Sequence, residues 1–78
     1  MLKKTDEEKF LFKAYEIAFN SGDLFHELNA YDIGDILSQR EHKIKIIIQH
    51  LAKAGFIRKR AENFFILTQK AIDMVKND

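Results

Sequence analysis

Apolar residues recur with a helical period through most of the chain, and the period changes once, near residue 56. The first periodic stretch opens at "TDEE". Thr5 stands as N-cap with Glu8 three residues on, the spacing of a capping box. Asp6, Glu7 and Glu8 sit where the positive end of a helix dipole favours acids. The stretch runs to about Asn20 and stops at "SGD", where Gly22 is free to turn left-handed. At about 100° per residue, Leu11, Ala14, Tyr15 and Ala18 share a face. Phe10 and Ile17 flank it on one side, Phe12 and Phe19 on the other. The apolar arc spans roughly 220°, about twice what one buried stripe needs. Such a helix is either enclosed by the fold or shared with a second copy of the chain.

"FHEL" predicts an extended connector or a single short strand. Asn29 can cap a second helix over "AYDIGDILS", with Asp32 in the capping-box position and Tyr31, Ile33, Ile36 and Leu37 apolar. Gly34 costs that helix about 1 kcal/mol relative to alanine, which close contact with another helix would offset. After a turn at "SQRE", a third helix is predicted over 41–54. It turns Ile44, Ile47, Ile48, Leu51 and Ala54 to the core, and His42, Ile46, Gln49 and Lys53 away from it. Lys43, Lys45 and His50 lie on its shoulders, and Gly55 ends it. "FIRKR" and "FFILT" then read as a hairpin over 56–68, with Ala61, Glu62 and Asn63 at its tip. Thr68 caps a last short helix, "TQKAIDMVK", that buries Ala71, Ile72 and Val75. The expected fold is mostly α with a small β-hairpin, in the order helix, short strand, helix, helix, hairpin, helix, as one domain over 1–78.

Charge sharpens this picture. The net charge is only +1, yet residues 38–60 hold seven of the 13 lysines and arginines against the single acid Glu41. Residues 1–37 hold four lysines against eight acids. Local fields rather than net charge steer a polyanion to one face. There are no cysteines, so disulfides and thiolate metal sites are excluded. The charged start "MLKKTDEEKF" lacks the apolar run of a signal peptide, and no apolar run approaches the ~18 residues of a membrane span. A cytoplasmic protein with no membrane contact is expected. No phosphate-cradling loop, Ser/His/Asp arrangement or metal-ligand set is present, and His26 with Glu27 is too few for a metal. Neither enzyme activity, a cofactor nor a small-molecule ligand is expected.

The stretch "AYDIGDILSQREHKIKIIIQHLAKAGFIRKR", followed by "FFILTQKAIDMV", resembles the winged helix-turn-helix domain of prokaryotic transcriptional regulators. The resemblance covers about residues 8–76. It implies that the third helix enters the major groove of double-stranded DNA and that the hairpin, as wing, reaches a minor groove or the backbone. The basic segment is the third helix plus the first hairpin strand, so charge and resemblance agree. Arg40, Lys43, Lys45 and Lys53 are then expected to meet phosphates, setting affinity without reading sequence. His42, Ile46, Gln49 and His50 are candidates for base edges, since Gln pairs with adenine and an apolar side chain meets a thymine methyl. Arg58 and Arg60 share one face of their strand and Lys59 the other; Arg60, nearest the tip, is the favoured contact, and Glu62 opposes deep insertion. Phe10, Phe12, Tyr15, Phe19 and Met74 are expected to form a homodimer surface. The alternative is a monomer whose first helix is covered by Phe25, Leu28 and the hairpin. A second alternative is a winged helix used as a protein-interaction module without direct DNA binding.

Overall fold

The structure, a computed structural model, describes residues 5–77; residues 1–4 and 78 of the expected domain lie outside the described residues. Four helices and a small antiparallel sheet follow one another as α1 (Asp6–Ser21), β1 (Leu28–Asn29), α2 (Ala30–Ile36), α3 (Glu41–Lys53), β2 (Ile57–Ala61), β3 (Phe64–Leu67) and α4 (Gln69–Lys76). The fold is thus mostly α with a small β component, as the periodicity predicts. No helix among the described residues is long and apolar enough to cross a membrane.

Short-range capping chemistry starts three of the helices where the sequence places them. Thr5 Oγ1 accepts from the Glu8 N–H at 3.1 Å, and the Glu8 carboxylate accepts from the Thr5 N–H at 3.0 Å, closing the capping box. Asn29 Oδ1 accepts from the Tyr31 and Asp32 N–H groups. Asp32 makes no return bond among the described residues, because its side chain is one methylene shorter than the glutamate of a capping box. Thr68 Oγ1 accepts from the Ala71 N–H and donates to the Gly55 carbonyl at 2.7 Å. The Lys70 ammonium donates to the Ala54 carbonyl at 2.7 Å and lies 4.9 Å over the Phe56 ring. These last contacts tie α4 to the end of α3 and fix how the β2–β3 hairpin leaves it.

Both helices of the α2–α3 pair end in the same two-bond motif. At the end of α3, Gly55 (φ 86°) gives its N–H to Ala52 and Phe56 gives its N–H to Leu51. Helix α2 stops earlier than predicted, at Ile36. The Ser38 N–H donates to the Asp35 carbonyl at 3.2 Å and the Gln39 N–H to the Gly34 carbonyl at 2.8 Å, with Ser38 left-handed at φ 57°. A serine there costs about 1 kcal/mol or more of backbone strain, which packing must offset. That packing is visible at Gly34. A Cβ on Gly34 would lie 2.7 Å from Ile44 Cγ1 and 2.8 Å from its Cδ1, so a side chain there would force the buried Ile44 to shift. The expected close contact at Gly34 is present.

The core is formed by one side of α1, the apolar faces of α2 and α3, the inner face of the sheet and α4. Phe10 is fully buried and its ring lies tilted on Phe65, centroids 5.7 Å apart. The buried stripe of α1 is therefore Phe10, Leu11, Ala14 and Ala18, rotated away from the face that periodicity predicts; Tyr15 is only half-buried. Phe10 leaves the expected dimer set, since a side chain with no exposed surface cannot meet a partner. Val75 is half-buried rather than buried, and Ala54, at the end of α3, is exposed rather than in the core. Strand β3 is central in the order β1-β3-β2, so the short strand at Leu28–Asn29 completes a three-stranded sheet. Ala61, expected at the hairpin tip, belongs to β2, and the turn narrows to Glu62–Asn63.

Candidate nucleic-acid interface

Helix α3 buries Ile44, Ile47, Ile48 and Leu51, a spacing that holds the opposite side outward. His42, Lys43, Lys45, Ile46, Gln49, His50 and Lys53 are all exposed, Ile46 to 39%. Arg40 precedes the helix as its N-cap and makes no side-chain capping bond, so its guanidinium is left outside the helix's own hydrogen bonding. Strand β2 buries only Ile57; Arg58, Lys59 and Arg60 follow it exposed on an edge strand. Three consecutive cations on an edge also discourage pairing with another sheet.

The hairpin differs from the expected alternation. Ile57 is registered opposite Leu67, Arg58 opposite Ile66 and Lys59 opposite Phe65, but Ala61 opposite Phe64. Arg60 is the extra residue of a bulge, so the period-two reasoning that put it with Arg58 stops at Lys59. Lys59 shares the face of the buried Ile57 and Phe65. It lines an open groove of about 530 Å³ between α3 and the hairpin turn. Lys45 and Lys59 stand there with Glu41 and Glu62, alongside Gln49 and Tyr31. The signal for Lys59 in the sequence is its place two positions after the apolar Ile57; alternation relative to Arg58 and Arg60 alone does not reveal it.

Charge pairing divides the basic segment. Lys43 forms an ion pair with Asp6 of α1, and the Glu7 carboxylate takes a hydrogen bond from His50 Nδ1. In a neutral ring this leaves Nε2 as the acceptor. Lys45 stands 3.8 Å from Glu41 one helical turn back, with both side chains more than 60% exposed, a geometry worth little in water. Arg40, Lys53, Arg58, Lys59 and Arg60 have no ion-pair partner among the described residues. The uncompensated charge therefore lies at the two ends of α3 and on β2. The adjacent helix α2 carries the exposed acids Asp32 and Asp35 and an Ile36 that is 58% exposed.

Helix α1 leaves an aromatic edge unburied. Phe19 is 63% exposed and stacks on Tyr15 with centroids 6.1 Å apart; Phe12 on the same side is half-buried. Phe25 in the following loop is 48% exposed, so it does not itself lie under cover. Met74 of α4 is half-buried against the core. Comparison of the chain with known protein families and with characterised proteins finds no match to either.

Proposed function

We propose that the chain is a winged helix-turn-helix protein of the cytoplasm that binds double-stranded DNA with sequence preference, as a small transcriptional regulator. Helices α2 and α3 are its helix-turn-helix pair, α3 lies in the major groove, and β2–β3 is the wing. The observation that carries this reading is the set of five cations on α3's ends and β2 that have no ion-pair partner among the described residues, next to an outward ridge of His42, Ile46 and Gln49. Phosphate contacts from the cations set affinity, while Gln49 and Ile46 read base edges. The reading assigns the chain no catalysis, cofactor or small-molecule ligand.

Titration of a fluorescent duplex is the test. With these five cations on phosphates the slope of log K against log salt should be about −4.5, a loss on the order of 10²- to 10³-fold between about 50 and 200 mM. Gln49→Ala should relax preference at one base position by about 1–3 kcal/mol and leave the others alone. Absence of binding at about 50 mM salt would end the reading.

The regulator acts as a homodimer joined through Phe12, Tyr15 and Phe19, with Met74 of α4 contributing to the same surface. The exposed Phe19, stacked on the half-buried Tyr15, supports this, since exposed aromatic surface gains from being covered. Sedimentation should give the dimer mass at micromolar concentration, and Phe19→Glu the monomer mass. A protein-interaction module is the second reading, favoured by the exposed Ile36 at the end of α2, next to the exposed Asp35. Tight complexes with proteins but salt-insensitive failure to bind duplex would select it.

A further inference from the structure

Two side chains on one flank of α3 are already engaged, Lys43 in an ion pair and His50 in a hydrogen bond. Lys43 and His50 lie two turns apart, so they share that flank, and the consecutive acids Asp6 and Glu7 of α1 hold both. The first turn of α1 that carries the acids is held by the capping box at Thr5–Glu8 and by Gln39 Nε2, which donates to the Asp6 backbone carbonyl at 3.4 Å. Arg40 and His42 border the same depression as Asp6 and Lys43.

We propose that Asp6 and Glu7 are specificity determinants of the DNA-binding surface, withholding Lys43 and His50 from duplex of arbitrary sequence. This rests on the DNA-binding reading above. Non-specific affinity grows with the number of phosphates neutralised, and a lysine that stays paired within the protein neutralises none. The two carboxylates would also stand close to the incoming phosphates and repel them. Both pairs are about half exposed, between 40% and 58% for the four side chains, so they are screened and weak enough to exchange. Only a site whose base contacts add affinity recruits the two groups; random duplex meets the surface without them.

The experiment uses the full chain and a random-sequence duplex, with affinity read by polarisation across a salt series. Asp6→Asn with Glu7→Gln should tighten random-duplex binding about tenfold near 0.1 M salt and steepen the salt slope by about one, the share of Lys43. The control Glu16→Gln with Asp73→Asn removes the same charge elsewhere and should change affinity less than about threefold with the slope unaltered. Because Asp6 and Glu7 also favour the α1 dipole, circular dichroism must show the variant folded at the assay temperature. A second pair of variants leaves the cap intact. Lys43→Ala should cost random-duplex binding less than about twofold, whereas Lys53→Ala, an unpaired cation, should cost about five- to tenfold. Affinity and slope of the acid variant matching its control, or equal losses from Lys43→Ala and Lys53→Ala, overturn the proposal while DNA binding stands. Absence of duplex binding by the parent and every variant removes both.

Discussion

Phe65→Ala is expected to remove most of the domain's stability. Phe65 is 1% exposed, sits on the central strand, and packs its ring on the fully buried Phe10. Truncating a buried phenylalanine costs about 3–5 kcal/mol, partly as lost transfer energy and partly as a cavity that a small core cannot close. A domain of this length has roughly 4–12 kcal/mol in total. The thermal midpoint should fall by about 12–40 °C, read by circular dichroism at the helical band. Phe64 is the built-in control. It is the neighbouring residue, points to the other face of β3 and is 37% exposed, so Phe64→Ala should cost about 1 kcal/mol or less. If the two variants melted within a few degrees of each other, the placement of the sheet's inner face would be wrong.

Exchanging Arg58, Lys59 and Arg60 together for glutamine should weaken duplex binding on the order of 10²-fold near 0.1 M salt and flatten the salt slope by about 2 to 3. All three side chains are exposed and free of ion pairs among the described residues, so nothing in the fold depends on their charge. Glutamine keeps the edge of β2 polar, which limits the risk of sheet-to-sheet association that alanine would raise. Unchanged affinity in this variant would show that the hairpin stands clear of DNA and would remove the wing from the proposed mechanism. Loss of affinity with an unaltered slope would point instead to a disturbed hairpin rather than to lost phosphate contacts, and the melting curve would show it.

Local chemistry makes much of this protein legible from its residues alone. Thr5, Asn29 and Thr68 announce three helix starts because a short polar side chain can meet an orphan N–H only at that place. Gly22 and Gly55 announce two ends, since left-handed backbone there is strained for other residues. The spacing of Ile44, Ile47, Ile48 and Leu51 identifies the buried face of α3, and with it the exposed residues opposite. The hairpin also follows from its change of period. These features need only interactions between residues a few positions apart.

Tertiary packing decided the remainder. Which side of α1's wide apolar arc is buried, Phe10 or Phe12 and Phe19, depends on where Phe65 arrives from a strand far along the chain. The bulge that displaces Arg60, the third strand at Leu28–Asn29 and the left-handed Ser38 each answer to a neighbour rather than to their own sequence. Most consequential are the contacts of Lys43 with Asp6 and His50 with Glu7. A helical projection tells which residues share a flank, but not what that flank meets. The approach of α1 to α3, and of α3 to α2 over the bare backbone of Gly34, is a property of the packed core, and it alone determines which cations stay available.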